Sequence, residues 1–108
     1  MPALILKSIE ENKVCAFSKA LIDDLEQLLA CPRDYFSLEL LESKFISDGA
    51  IVNGHPTIEV SWFDRGQDIQ DTAAQIITKY VHSAGYTSVD VIFHHLDENK
   101  YYENGEHF

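Results

Sequence analysis

Residues 57–95 read TIEVSWFDRGQDIQDTAAQIITKYVHSAGYTSVDVIFHH, and the changes of hydrophobic period along them set the architecture. Over 57–63 apolar and polar residues alternate, with Ile58, Val60 and Trp62 on one face, as in a half-buried strand. Beyond Asp68 the period lengthens. Ile69, Ala73, Ile76, Tyr80 and Ala84 are spaced 4, 3, 4 and 4 apart, which predicts a helix with one apolar face. Asp68 is the predicted N-cap, and Asp71 lies in the first turn, where the helix dipole favours a carboxylate. Gly85 is the natural stop. Alternation returns over 88–95, with Val89, Val91 and Phe93 together. The unit is β-α-β.

The preceding residues repeat this plan. Residues 3–7 (ALILK) are short and mostly apolar, as expected of a strand covered on both faces. Val14, Phe17, Leu21, Leu25 and Leu28 are spaced 3, 4, 4 and 3 apart, with Cys15, Ile22 and Leu29 as a flanking stripe. This predicts a second amphipathic helix, which Pro32 ends. Residues 35–42 alternate, Phe36, Leu38 and Leu40 opposing Ser37 and Glu39. Between the halves, Asp48-Gly49 is a hairpin-turn signal and Gly54-His55-Pro56 a further break. Each half opens with a proline and a strand, at Pro2 and at Pro56. Residue identity between the halves is weak, so the repeat is one of pattern. The tail, 97–108, is polar and aromatic without a clear period. The expected fold is α+β, a single domain over 1–108 with a four-stranded sheet and two helices on one face. The other face, carrying Leu41 and Ile92, then needs cover, and burial between subunits supplies it.

Composition limits the function. At 108 residues the chain is one domain, which buries roughly 65% of its unfolded surface. The net charge of −10, from 18 acids and 8 bases, argues against nucleic acid and anionic membranes as partners. It also isolates the two arginines, Arg33 and Arg65, as the first candidates to hold an anionic ligand. Cys15 and Cys31 have no metal-binding or CxxC spacing, and Cys15, within the apolar helical pattern, is expected as a buried reduced thiol. The apolar runs are far shorter than a membrane span, and the start lacks the pattern of a signal peptide. A cytoplasmic protein is expected.

Met-Pro at the start, the apolar first strand, the doubled β-α-β plan and the length resemble the tautomerase superfamily. That superfamily includes 4-oxalocrotonate tautomerase and macrophage migration inhibitory factor (MIF). Two stretches, IEVSWFDRGQDIQDTAAQ (58–75) and YYENGEHF (101–108), resemble more closely the bacterial family DUF1904 within it. The resemblance implies a homotrimer whose three sheets form a barrel-like centre, with active sites at subunit boundaries and the N-terminal proline as base. It implies a cofactor-independent tautomerase or isomerase acting on a small anionic oxo acid. A trimer that keeps the fold but only binds a ligand or protein is the competing reading. Activation of water by Pro2 for dehalogenation or decarboxylation is a third. The superfamily's other active-site residues do not carry over cleanly.

The candidate residues follow. Removal of Met1 turns the Pro2 nitrogen into a secondary amine; an ordinary α-amino group titrates at about 7.7–8.0, and burial near Leu4, Leu6 and aromatic neighbours lowers that value. Such an amine takes a proton beside a carbonyl and returns it elsewhere. With Met1 attached the nitrogen is an amide and no base, and a proline that merely begins a strand is the plainer reading. Arg65, in the turn after the strand 57–63, either grips a carboxylate in a fork or pairs at the surface with Asp64 or Asp68. Arg33 lies where the superfamily often places a cation, and a surface role competes. Trp62 packs with Ile58 and Val60 and joins the substrate-binding candidates. Tyr101 and Tyr102 lie on opposite sides of an extended chain, so Tyr101 either lines a neighbour's pocket or docks the tail. Glu39 and Asp90, on the polar strand faces, fall at the expected subunit interface and need partners there. His94 and His95 point to opposite faces of a strand and cannot easily share one ion. No metal site and no cofactor is expected; a phosphate loop, a Ser-His-Asp arrangement and HExxH are all lacking.

Overall fold

Strands and helices form where the hydrophobic period is 2 and 3.6. In a computed structural model, which describes residues 1–107, the elements run β1 (Pro2–Lys7), α1 (Glu11–Leu29), β2 (Ser37–Leu41), β3 (Phe45–Ser47), β4 (Ala50–Val52), β5 (Thr57–Trp62), α2 (Gln67–Ser83), β6 (Asp90–His95), β7 (Tyr102–Glu103) and β8 (Glu106–His107). One-turn 3-10 helices stand at Arg33–Tyr35 and Glu98–Lys100. The main sheet has the order β2-β1-β5-β6. β1 and β2 are parallel, β5 and β6 are parallel, and β1 meets β5 antiparallel. Each parallel pair is joined through a helix, as parallel pairing demands, so the two β-α-β units of the sequence are the two halves of one mixed sheet.

The core lies between one sheet face and the two helices. Leu4, Leu6, Ile58, Val60 and Trp62 project from the sheet and are almost wholly buried. α1 supplies Val14, Phe17, Leu21, Ile22, Leu25 and Leu29, and α2 supplies Ala73, Ile77 and Val81. Full burial of one such large side chain is worth about 1.5–3 kcal/mol. The opposite face has no helix, and Leu41 and Ile92 stay 41% and 44% exposed there.

Several details differ from the sequence expectation. β1 is buried on one side only: Pro2, Leu4 and Leu6 are covered, while Ala3, Ile5 and Lys7 are half-buried on the open face. Cys15 is exposed rather than buried. It follows Val14 by one helical step of about 100°, which carries it past the rim of the apolar stripe. α2 starts before Asp68. Its N-cap is Gly66 at φ +90°, a conformation that suits glycine, and Asp68 lies in the first turn instead. The inward line of α2 is Ala73, Ile77 and Val81, while Ile69, Ile76, Tyr80 and Ala84 are partly buried beside it. Tyr80 sits at that flank because its hydroxyl needs a partner, and its one proton is donated to Asp24 at 2.5 Å, with the Ala20 carbonyl of α1 at 3.2 Å.

Both hairpins have two-residue turns with positive φ, Asp48-Gly49 (49° and 79°) and Asn104-Gly105 (53° and 83°), as type I′ turns require. The tail is therefore ordered as a 3-10 turn and a short hairpin through His107. Phe108 lies outside the described residues.

Candidate active site

Register assembles the candidate site at one end of the sheet. Pro2 pairs with Trp62 across β1 and β5, and Trp62 pairs with His95 across β5 and β6. Pro2 and Trp62 are both fully buried. Residues two apart on a strand share a face, so Pro2, Trp62 and His95 form a row on the helix side. The Trp62 ring packs on Phe93 with centroids 4.9 Å apart.

The turn that follows brings Arg65 back over this row. Asp64 Oδ1 accepts the Gly66 N–H at 2.9 Å, and the chain turns at Gly66 into α2. Arg65 then lies with its guanidinium carbon 5.9 Å from the Trp62 ring centroid, within reach of a cation–π attraction. Its Nη1 donates to the Leu29 carbonyl at 3.4 Å, one of the last α1 carbonyls, which have no partner within the helix. Among the described residues Arg65 makes no ion pair with Asp64 or Asp68. Arg65 Nε and Trp62 Nε1 are both buried and without a hydrogen-bond partner there. A buried donor left unmade costs about 1–3 kcal/mol, so this corner offers two donors to an acceptor.

The field at this corner acts on the chain's terminal amine. Burial pushes the Met1 amine below the ordinary α-amino range. Cys31 opposes the shift, Arg65 reinforces it and Glu103 opposes it. With Met1 attached, the Pro2 nitrogen is an amide.

The other candidates take separate places. Tyr101 is half-buried and meets Phe63 edge-on, with centroids 5.5 Å apart; the tail therefore returns to the turn that carries Arg65. Arg33 is held by α1, with Nη1 2.6 Å from Asp23 and 3.5 Å from Glu26 and Nη2 donating to the Lys19 carbonyl. Its charge is taken up by carboxylates of α1. Glu39 and Asp90 are exposed, and Asp90 lies 3.3 Å from His55. His94 and His95 diverge: His94 Nε2 is 2.8 Å from Glu59 on the open face, whereas His95 Nε2 is 2.6 Å from Gln70 on α2. The sequence weighed His95 only as a metal ligand, although its register with Trp62 and its parity with Phe93 put it in the Pro2 row. No group of three or more His, Cys, Asp or Glu among the described residues is placed to hold a metal ion, and no helix among them is long and apolar enough to cross a membrane.

A cavity of about 930 Å³ opens at the other end of the sheet, between the ends of β1 and β2, the β3–β4 hairpin and Tyr86. Lys7 is five residue steps along β1 from Pro2, about 17 Å at the usual rise.

This architecture is that of the tautomerase/MIF-like class. A macrophage migration inhibitory factor-like protein from Entamoeba histolytica superposes with a TM-score of 0.74 at 15% identity, over 99% of this chain and 98% of that one. A structure described as a Q0 fused 4-OT wild type symmetric trimer does so with a TM-score of 0.74 at 16% identity, over 98% and 94%. At such identities the likeness is one of fold. The particular family is DUF1904, a domain of unknown function: its model matches residues 1–107, and the chain belongs to it. The DUF1904 structure from Sebaldella termitidis is 37% identical over the whole of both chains, with a TM-score of 0.92. No curated protein matches the chain.

Proposed function

We propose that this protein is a cofactor-independent tautomerase or isomerase that acts, as a cytoplasmic homotrimer, on a small anionic oxo acid. Pro2 is the general base and Arg65 holds the substrate carboxylate. The observation that carries the reading is the pairing of buried Pro2 with Trp62, over which Arg65 presents a buried Nε without a partner. Once Met1 is removed, burial and the neighbouring guanidinium both disfavour the cationic amine. A neutral Pro2 amine then takes a proton from the carbon beside a carbonyl and returns it at a second atom. Arg65 fixes the acid's carboxylate, and the Trp62 ring steadies the guanidinium. Tyr101, at the rim through Phe63, contacts substrate or a neighbouring subunit. Arg33 stays with the α1 carboxylates. The trimer is supported by the uncovered face with Leu41 and Ile92 and by the trimeric relative of the same fold. The two free cysteines suit a reducing compartment.

The binding-module reading has an observation of its own, since the 930 Å³ cavity lies at the sheet end remote from Pro2. Turnover decides between them. With a free Pro2 amine verified by mass spectrometry, the enol of phenylpyruvate or 2-hydroxymuconate should be ketonised. Pro2→Ala should lower turnover by about 10²–10⁴-fold. Arg65→Ala should mainly raise KM if its contact is equal in ground and transition states. Inactivity of that verified form on a broad panel of enolisable oxo acids would instead move the balance to the binding module.

A further inference from the structure

We infer that assembly of this chain is coupled to proton uptake at His94, so that its copies associate more tightly as pH falls through the histidine range, an inference that rests on the trimeric reading above. The register lays three rows across the uncovered sheet face: Leu41–Lys7–Thr57–Asp90, Glu39–Ile5–Glu59–Ile92 and Ser37–Ala3–Ser61–His94. Glu59 stands in the middle row, with Lys7 and His94 diagonal to it on either side, within reach of long side chains. Its two oxygens are divided between them. Oε2 lies 3.1 Å from Lys7 Nζ, and Oε1 lies 2.8 Å from His94 Nε2. A neutral imidazole can donate that hydrogen bond as well as a charged one can. The contact therefore survives titration, and what changes is the charge of the face.

The other charges on the face decide the sign. Its carboxylates are Glu39, Glu59 and Asp90, and Lys7 is its one ammonium. His55 lies 3.3 Å from Asp90 at the rim, and Glu39 has no ion pair among the described residues. The face is thus anionic before His94 takes a proton, in a chain that carries −10 overall. Bringing copies together here excludes water, and repulsion between like charges grows as the solvent is lost. A proton on His94 offsets part of that surplus and turns its bond to Glu59 into a charge-assisted one. Burial alone acts the other way, favouring the neutral ring. It is outweighed here, because the ring already holds a carboxylate and the face buried with it is anionic. His95, bonded to Gln70 on the helix side, is not covered by the same contact. Affinity gained in this way is fully present below the ordinary histidine value of about 6.5 and is lost as pH rises above it.

Sedimentation velocity of the full-length chain over a concentration series, at about pH 6 and about pH 8 on either side of the histidine range, reads the coupling. One proton taken up by each of three copies multiplies the assembly constant by up to about 10³ per pH unit, so the assembly midpoint should be at least roughly tenfold lower at the acid pH. His94→Gln keeps a hydrogen-bond donor for Glu59 without a titrating charge, and its midpoint should move little between the two conditions. A wild-type midpoint that stays fixed or rises in acid overturns the inference, and so does a full shift in His94→Gln. A wild type that is monomeric in both conditions overturns the trimeric reading and the coupling with it, so the two failures are distinct. Should His94→Gln not fold, dilution calorimetry of the wild type in two buffers of different ionisation enthalpy decides. Dissociation should release protons, and a heat independent of the buffer overturns the inference.

Discussion

Gly54→Ala tests how the β3–β4 hairpin is anchored. A Cβ at this position would lie far inside van der Waals distance of Ser8 Oγ and of two carbons in the Phe45 ring. Ser8 Oγ can rotate away. The Phe45 ring either turns out of its half-buried seat or carries β3, which is paired through Val52, with it. The clash is therefore resolved by moving the hairpin or by unseating the ring. Overpacking of this kind costs about 1–3 kcal/mol, and the contact of the added Cβ with two ring carbons as well as Ser8 places Gly54→Ala in the upper part of that range. At about 4–8 °C per kcal/mol for a chain near this size, the melting point should fall by roughly 8–24 °C. Gly49→Ala is the matched control. Gly49 has φ +79°, and a methyl added there would meet nothing within 4 Å, so that change should cost only the left-handed backbone strain, about 1–2 kcal/mol. Both variants are melted at one fixed protomer concentration, because assembly makes the midpoint concentration-dependent. Gly54→Ala melting within about 2 °C of wild type, less than 1 kcal/mol by the same conversion, or losing less than Gly49→Ala, would refute this anchoring.

Two further outcomes are expected. The His94 hydrogen bond, and then Lys7, hold the Glu59 carboxyl below its ordinary value. A lowered folded pKa gives stability that is present above the unfolded value of about 4.3 and is lost as pH falls through the folded one. Glu59→Gln should therefore flatten the loss of stability at and below about pH 4.3; urea midpoints that keep the wild-type slope there would exclude this role. Deleting residues 100–108 removes the Tyr101 contact on Phe63 and the β7–β8 hairpin, and should weaken assembly. A truncated chain that sediments and melts like the full one would deny the tail that part.

The sheet and both helices were legible because burial falls on one side of each element. Ile58, Val60 and Trp62 at period 2, and Val14, Phe17, Leu21 and Leu25 at spacings of three and four, leave little choice of conformation. The rotation of α2 was less legible. Ile76 and Tyr80 fit the stripe as well as Ile77 and Val81, and only the Tyr80 hydroxyl bonds to α1 decide between them. Asn104-Gly105 is a turn signal, but strands of two residues on either side are too short to show a period. At the site, Pro2 was a candidate through the resemblance to the tautomerase superfamily, and Arg65 as one of only two arginines in an acidic chain. The approach of Arg65 to the Trp62 ring could not be read, because it depends on the Asp64–Gly66 turn. His95 enters the row only through a strand register that no single segment reveals.

Catalysis by this chain stands or falls on the basicity of Pro2. Burial already lowers the terminal amine one residue outward, and the Pro2 ring is covered more completely than Met1. The direct measurement is a pH titration, by nuclear magnetic resonance, of nitrogen-15-labelled Pro2 in protein shown by mass spectrometry to begin at that residue. The expected midpoint lies below the ordinary α-amino range of about 7.7–8.0 and below the working pH, so that the neutral amine dominates there. A midpoint within or above that range would leave Pro2 mostly cationic at neutral pH and contradict its assignment as the base.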